Sequence, residues 1–239
     1  SADLPPVNIG HSVRDEPILA RDKVRYVGEP VAAVAADTPA LAQAALQLID
    51  VDYEELPAVY DPAAALADGA PILHEGFDGY LRLYDTPCGG NLVSACELET
   101  GDLDAGWRAS DVIVEGEYET PAVQHLYLEP CAALAEVDGD GKLVIWSSTQ
   151  MIFGVQFAVA NALGLPMSRV RCIAPRVGGA FGGKFVNMEP IAAALALKTL
   201  RPVRLTLSRE EDIGTQRTRH ASRIRIRTGA RRDGSLVCR

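Results

Sequence analysis

The stretch Arg176-Val-Gly-Gly-Ala-Phe-Gly-Gly-Lys184, continued by Phe-Val-Asn-Met-Glu-Pro to residue 190, determines how the rest of the sequence is interpreted. Four glycines fall within six residues and enclose only Ala180 and Phe181. An apolar run precedes the stretch, and a helix-forming alanine- and leucine-rich run follows it. A strand, a glycine-rich turn and a helix start make backbone N–H groups converge on an anion. The pattern predicts a binding loop, with a turn that packs the helix against the strand as the alternative.

The loop comes within one residue of a nucleotide-binding phosphate loop. Residues 178–184 satisfy G-x-x-x-x-G-K, but Phe185 stands where Ser or Thr would bind Mg²⁺. The dinucleotide fingerprint G-x-G-x-x-G does not fit the spacing either. A P-loop nucleotidase therefore stays a remote alternative. Lys184 is expected either to neutralise a phosphate or to be a solvated loop lysine, and both interpretations stay open.

Composition sets broad limits on the function. The 239 residues are 48% hydrophobic and 23% charged, as in an ordinary globular protein of one large or two small domains. A net charge of −9 argues against a nucleic-acid partner. Five scattered cysteines without a C-x-x-C pair predict a reducing, cytoplasmic compartment and no iron–sulfur cluster in this chain. No apolar run approaches the ~20 residues of a membrane span, and no residue is nominated as a metal ligand.

The first 75 residues predict a compact α/β unit. An extended, proline-rich entry runs to residue 20, and Thr38 and Asp61 are expected to cap helices that continue to Ile49 and Leu66. Apolar patterning predicts three strands, namely Val24–Val27, Val31–Ala36 and Val51–Glu54. Residues 76–100 show few periodic signals and are interpreted as a linker.

Residues 101–239 predict a second mixed region. A short helix opens at Asp102 and ends near Ala109, a second spans Met151–Leu163, and a third begins at Asn187 or Glu189. The predicted strands are Val112–Thr120, Tyr127–Val137, Leu143–Ser148, Arg169–Ala174, Val203–Leu207, Ala221–Arg227 and Leu236–Cys238.

Three ordered segments resemble the xanthine dehydrogenase and aldehyde oxidase family. The glycine stretch followed by E-P-I-A-A-A-L-A is similar to the family's molybdopterin loop, and S-S-T-Q at Ser147–Gln150 is a second family-like motif. The segment Arg21–Asp37 resembles the hammerhead domain. The resemblance implies an α+β fold: a partial hammerhead-like α/β domain at 1–75, a linker at 76–100, and the first part of a molybdopterin-binding domain at 101–239. It also implies a piece of a longer molybdenum subunit, incomplete at both ends.

The resemblance also nominates site residues. From the residues alone, the Gln150 amide is either a helix cap or a functional donor that also accepts from a neighbour. The resemblance implies that Gln150 is catalytic and hydrogen-bonds the oxygen ligand of molybdenum. It implies that the cofactor is bound by Gly179, Ala180, Phe181 and Gly182, although the Phe181 ring has a wedge against the core as its alternative role.

Other residues receive structural roles. Glu129 and Glu189 each precede a proline and are expected to cap, while His125 and Tyr127 are expected to pack in the core. Phe185 stands where purine-oxidising members carry an acidic residue, so the resemblance disfavours xanthine. In the resembled family the general base is a glutamate near the subunit's C-terminus, and an arginine in an A-F-R-G-F-G-like motif helps with substrate. No such motif occurs in this sequence, so no catalytic base is nominated.

The function implied by the resemblance is molybdenum-dependent hydroxylation. The enzyme would oxidise an aldehyde or an N-heteroaromatic C–H with water as the oxygen source, and this chain alone would be inactive. The implied cofactor is molybdenum–molybdopterin, in its plain or cytosine dinucleotide form, with FAD and [2Fe–2S] clusters on partner domains or subunits. The implied partners are the remainder of the molybdenum subunit, the iron–sulfur and flavin parts, and a small-molecule substrate. A non-catalytic assembly fragment and a family member that performs reductive aromatic-thioester chemistry stay open as alternatives.

Overall fold

The computed structural model describes residues 4–186 and 188–239, which form two compact units. One unit contains the described chain up to Ser94 together with His125–Arg217, and the other contains Ala95–Gln124 together with Thr218–Arg239. Both combine helices with β-sheet, so the α+β fold class predicted from the sequence is confirmed.

A four-stranded sheet organises the first unit. It contains β4 (Ala132–Val137), β5 (Leu143–Ser147), β6 (Val170–Ile173) and β7 (Val203–Thr206) in the order β6-β5-β4-β7. Strand β4 pairs antiparallel with β5 and β7, whereas β5 and β6 are parallel. The carboxyl ends of β5 and β6 therefore meet at one edge of the sheet, where side chains of open α/β sheets commonly bind ligands.

Two helices, α4 (Ile152–Ala162) and α5 (Glu189–Thr199), pack on this sheet. Their contact with the strands is fully buried at Ile145, Val159 and Ala192. Alanines on α5 let its backbone approach β4 closely. The helix begins at Glu189, one of the two predicted starts, while the other predicted start, Asn187, lies outside the described residues.

A further helix, α6 (Arg209–Thr215), was missed by the sequence analysis. Its first turn is closed by a capping box, in which the Ser208 side chain accepts from the Glu211 N–H and the Glu211 carboxylate accepts from the Ser208 N–H. The spacing Ser-x-x-Glu carries that signal, so the helix was predictable.

The amino-terminal part of the first unit differs from the prediction. The expected extended entry contains a short antiparallel pair, β1 (Asn8–Ile9) with β2 (Glu16–Pro17). The predicted strands at Val24–Val27, Val31–Ala36 and Val51–Glu54 were wrong, because no described segment pairs with any of them. Apolar alternation predicts a face that fits a sheet, but a strand also requires a neighbour that takes its backbone hydrogen bonds.

The two amino-terminal helices form where their caps predict. Helix α1 (Pro39–Leu46) begins after Thr38, whose side chain accepts from the Leu41 N–H at 3.2 Å. Helix α2 (Pro62–Ala65) begins after Asp61, which accepts from the Ala64 N–H at 2.7 Å. Helix α1 ends at Leu46 and not at the predicted Ile49, and α2 ends one residue before the predicted Leu66, since helix ends are less determined by sequence than capped starts.

The second unit is a three-stranded antiparallel sheet with one helix. Its elements are α3 (Leu103–Arg108), β3 (Val112–Thr120), β8 (Ser222–Ala230) and β9 (Leu236–Cys238), with the strand order β3-β8-β9. Three cross-strand ion pairs line one face of β3 and β8, namely Glu115–Arg227, Glu117–Arg225 and Glu119–Arg223. Among the described residues, no helix combines the length and the apolar character that crossing a lipid bilayer requires.

Candidate functional site

The S-S-T-Q motif begins at the last residue of β5, and the glycine-rich loop follows β6, at the same edge of the four-stranded sheet. Parallel pairing of these strands thus brings together two motifs that are about 30 residues apart in sequence. Ser148 and Thr149 are buried, whereas Gln150 is exposed. The edge of the sheet therefore presents Gln150 and the loop together.

Gln150 bonds directly to the glycine-rich loop. Its side-chain oxygen Oε1 accepts from the backbone N–H of Gly182 at 3.1 Å. Its own backbone N–H donates to the Lys184 carbonyl oxygen at 2.9 Å. Within residues 4–186 and 188–239 no protein group bonds the side-chain nitrogen Nε2, so this amide presents a donor at the surface of the site.

Thr149 links the S-S-T-Q motif to the end of the glycine-rich loop by hydrogen bonds. Its hydroxyl lies within hydrogen-bond distance of two loop carbonyl oxygens, that of Lys184 at 3.1 Å and that of Phe185 at 3.0 Å. The same hydroxyl accepts from the Met151 N–H at 3.0 Å, where α4 is about to begin. The turn from β5 into α4 and the exit from the glycine loop are therefore held as one structure.

The middle of the loop adopts a conformation that L-residues rarely take. Gly179 and Gly182 have φ angles of +92° and +93°, and Phe181 between them has φ of +49°. A positive φ at a bulky residue is costly and persists where the surroundings determine it. The Phe181 side chain is 76% exposed, so the alternative of a wedge against the core was wrong. The ring, Ala180 and the two glycines form the outer rim of the loop.

The segment His125–Cys131 packs against the inner side of the glycine-rich loop. It was predicted as part of a strand beginning at Tyr127, but β4 begins only at Ala132. A Cβ on Gly178 would lie 2.6 Å from the Cβ of Glu129, and one on Gly183 would lie 2.9 Å from a His125 ring nitrogen. Real Cβ atoms do not approach other atoms so closely. These two glycines are therefore required by the close approach of the loop to this segment.

Lys184 has neither of its two predicted roles. The residue is fully buried, and its Nζ forms an ion pair with Glu129 Oε2 at 2.7 Å. The same nitrogen lies 4.6 Å from the centroid of the Tyr127 ring, over its face. A lysine held in this way is neither solvated nor available as the phosphate-binding charge of a P-loop. Sequence alone could not reveal this because the acidic partner is 55 residues upstream.

Glu129 has a pKa that is shifted by competing effects. Burial raises the pKa of this carboxyl, but the hydrogen bonds from Lys184 and from the Gly178 N–H outweigh burial, and the net pKa lies below its ordinary value. The charged carboxylate is thus the form that the fold stabilises. The expected capping role was correct in kind, since Glu129 binds a loop N–H.

Tyr127 extends this support into the core, as predicted. Its hydroxyl donates to Asp212 Oδ1 at 3.2 Å, and the Cys131 N–H donates to the same oxygen at 3.0 Å. Asp212 lies on α6 and also pairs with Arg209. Burial raises the pKa of both the Tyr127 hydroxyl and the Cys131 thiol, the latter to about 12. Both groups therefore stay protonated near neutral pH.

Glu189 is the second carboxylate singled out from the sequence. It is 2% exposed, stands in the first turn of α5, and accepts from the Ser147 hydroxyl at 2.6 Å. The carboxyl group lies at the positive end of the helix dipole, which fits the predicted structural role. Phe185 packs edge-on against the His11 ring, with centroids 5.5 Å apart.

The structure brings together Gln150 and all four loop residues nominated from the sequence. It adds Glu129, Tyr127 and Asp212 beneath them, which sequence reasoning did not connect with the loop. The available signal was Glu129 before Pro130, a charged residue within an otherwise largely apolar stretch. Within the described ranges, no three His, Cys, Asp or Glu side chains come close enough to hold a metal ion. What the site offers is backbone and amide donors on a rigid, glycine-rich edge.

A glycine-rich loop and an exposed amide beyond the carboxyl ends of two parallel strands are typical of the class of α/β proteins that bind ligands at this edge of the sheet. Residues 86–238 match the model of the molybdopterin cofactor-binding domain. Residues 1–57 match the a/b hammerhead domain of aldehyde oxidase and xanthine dehydrogenase. The chain belongs to the aldehyde oxidase and xanthine dehydrogenase family, as the three sequence segments indicated.

Curated relatives support this assignment. The chain is 38% identical over 245 residues to the xanthine dehydrogenase molybdenum-binding subunit of Escherichia coli O157:H7, covering 98% of this chain and 31% of that protein. It is 37% identical over 228 residues to the nicotinate dehydrogenase large molybdopterin subunit of Eubacterium barkeri, covering 95% and 51% respectively. The chain thus spans about a third to a half of the length of these relatives.

Solved structures show the same fold. The aldehyde oxidoreductase from Desulfovibrio gigas superposes with a TM-score of 0.82 at 30% identity, over 97% of this chain and 24% of that chain. The quinoline 2-oxidoreductase from Pseudomonas putida 86 gives a TM-score of 0.80 at 29% identity, over 98% and 30% respectively.

Proposed function

We propose that this chain is the cofactor-holding part of a molybdenum hydroxylase that oxidises an aldehyde or an N-heteroaromatic C–H. The proposed domains are a hammerhead-like domain at residues 1–75, a linker at 76–100 and part of the molybdopterin-binding domain at 101–239. The observation that carries the proposal is the bond from the Gly182 N–H to Gln150 Oε1, which joins the two motifs of the molybdopterin-binding match.

The loop residues fit an organic cofactor that approaches the backbone. Gly179 and Gly182 keep positive φ angles and carry no side chain that would stand between the loop backbone and a ligand. Ala180 adds only a methyl group, and the exposed Phe181 ring offers an apolar face. We propose that these four residues contact the pterin and the metal centre, with backbone N–H groups as donors.

Gln150 has a different role in this proposal. Because Oε1 is occupied by the Gly182 N–H, the amide plane is fixed and Nε2 points its donors away from that bond. A fixed donor of this kind stabilises charge that develops in a transition state without further reorganisation. Gln150 is therefore proposed as the catalytic residue of this chain, although it moves no proton itself.

The bound cofactor would supply two-electron oxidation of the substrate with water as the oxygen source. We propose molybdenum–molybdopterin, in its plain or cytosine dinucleotide form, with FAD and [2Fe–2S] clusters on partner domains or subunits. The proposal is supported by relatives described as subunits of xanthine and nicotinate dehydrogenases. The remainder of the molybdenum subunit would supply the general base. The five cysteines are present as thiols and not as disulfides, which suits a cytoplasmic compartment.

The test compares two glutamines of the intact enzyme complex. Gln150→Ala should lower turnover roughly 10- to 1000-fold, the range for losing a preorganised donor, with near-normal molybdenum content. Gln156 on α4 is the matched control, because its Nε2 donates to the Met167 and Val170 carbonyl oxygens, within the fold. Gln156→Ala should lower stability and leave the rate per folded molecule unchanged. Full activity in Gln150→Ala would contradict the proposed role.

A further inference from the structure

One carboxylate oxygen joins the two ends of the glycine-rich loop. Glu129 Oε2 accepts from the backbone N–H of Gly178, where the loop begins, at 2.7 Å. The same oxygen accepts from Lys184 Nζ, where the loop ends, also at 2.7 Å. The four residues that the proposed function assigns to the cofactor, residues 179–182, lie between Gly178 and Lys184. We refer to Glu129 and Lys184 together as the loop clamp.

The loop clamp is difficult to open because its cation is buried. The Lys184 side chain is 1% exposed, and the Tyr127 ring lies against its ammonium. A buried ammonium without its partner is strongly unfavourable, so Lys184 keeps Glu129 beside it. The Tyr127 hydroxyl donates to Asp212, and this bond fixes the position of the ring that contacts Lys184.

The loop clamp also determines where Gln150 lies. The Lys184 carbonyl oxygen accepts from the Gln150 backbone N–H and from the Thr149 hydroxyl. The Gly183 N–H donates to the Ala180 carbonyl oxygen at 2.8 Å and closes the turn between the clamped ends. A shift of the Lys184 main chain would therefore displace both the loop rim and the amide bonded to it.

We propose that Glu129 and Lys184 are positioning residues that hold the glycine-rich loop in its cofactor-binding conformation before the cofactor binds. The inference rests on the proposed function for the identity of the ligand, a molybdopterin. A loop that already has its binding conformation pays no ordering cost when the cofactor binds. The apparent affinity for the cofactor is then not reduced by a population of molecules whose loop has another conformation. The clamp touches no reacting group and acts only through the residues between its ends.

The experiment separates positioning from stability with three variants of the intact complex. Glu129→Gln leaves the buried ammonium without its counter-charge, and Lys184→Met removes the ammonium while keeping an apolar chain. The double variant carries no unpaired charge, so its stability should recover relative to Glu129→Gln. The double variant nevertheless lacks the bond between residues 129 and 184 that connects the two ends of the loop. We expect molybdenum and pterin per folded molecule to fall about tenfold in both single variants and to stay low in the double variant.

A second measurement needs no cofactor. In cofactor-free complex, hydrogen exchange at the Gly182 amide should accelerate about tenfold in Lys184→Met, while exchange at Ile145 in β5 stays as in wild type. The ion pair between Arg217 and Glu16, at 2.6 Å in the same unit, serves as the control. Arg217→Met should change stability without changing cofactor content or Gly182 exchange.

The outcomes distinguish the two proposals. Cofactor content that recovers with stability in the double variant, with unchanged Gly182 exchange, would overturn the loop clamp and leave the proposed function standing. Wild-type complex that lacks molybdenum and pterin would overturn the proposed function, and the exchange data would still decide whether the clamp orders the loop.

Discussion

The Ser147 hydroxyl donates to Glu189 Oε1 at 2.6 Å, and both groups are buried. This bond links the end of β5 with the first turn of α5. The glycine-rich loop lies between β6 and α5, so the bond fixes the helix that the loop must reach. A short hydroxyl–carboxylate bond in a dry setting is among the stronger hydrogen bonds of a fold.

Replacing Ser147 with Ala should destabilise the protein by about 1–3 kcal/mol, because the buried Glu189 carboxylate loses a donor. Chemical denaturation of the variant measures the change. The exposed Ser168 is the matched control, and Ser168→Ala should change stability by no more than about 0.5 kcal/mol. Equal stabilities of the two variants would show that the Ser147–Glu189 bond contributes nothing.

Acidification should weaken the clamped loop. Folding lowers the Glu129 pKa below its ordinary value of 4.5, so the ion pair stabilises the fold fully above that value. As the pH falls through the lowered pKa, Glu129 is protonated and this contribution disappears. Melting temperatures measured from about pH 6 to pH 3 should therefore fall more steeply for wild type than for Glu129→Gln. Parallel curves would show that Glu129 ionisation is not coupled to folding.

Phe185 should disfavour purines as substrates. Its side chain offers no charge or hydrogen bond to ring nitrogens and carbonyls, and losing one such contact commonly costs ~1–3 kcal/mol, or roughly 5- to 150-fold in specificity. We expect aldehydes and simple heteroaromatics to be oxidised with higher kcat/KM than xanthine. Phe185→Glu should shift the ratio toward xanthine, whereas Phe185→Leu, which adds no charge, should not. Xanthine as the best substrate of the wild type would contradict this prediction.

Local signals made part of the fold predictable. Thr38 and Asp61 cap helices with a side-chain oxygen and a following proline, which are interactions between near neighbours in sequence. The motif at Ser147–Gln150 and the glycine stretch were visible for the same reason. Their meeting followed from parallel pairing of β5 and β6, which the strand–loop–helix pattern favours.

The remainder depended on contacts between distant segments. Glu129 and Lys184 are 55 residues apart, and neither residue type reveals its partner. The apolar stretch Val31–Ala36 resembled a strand, but strand formation depends on a neighbour that the apolar pattern does not specify. The first residues of the predicted strand Tyr127–Val137 form no strand in the structure, because they contact the glycine-rich loop and α6 and only residues from Ala132 onward pair with neighbouring strands.

The most direct test of the central claim is the molybdenum and pterin content of the purified intact complex, with and without a changed loop. We expect about one molybdenum and one pterin per catalytic subunit in wild type, and a marked loss in folded Gly179→Ala and Gly182→Ala. In both variants the added Cβ opposes the positive φ, and at Gly179 it would also lie 3.2 Å from the Phe181 ring, so the loop backbone that is proposed to contact the cofactor must shift. Gly164 also has a positive φ, of +65°, and nothing lies within 4 Å of a Cβ added there, so Gly164→Ala controls for backbone strain alone and should keep its cofactor. Full cofactor content in both loop variants, or none in active wild type, would contradict the account.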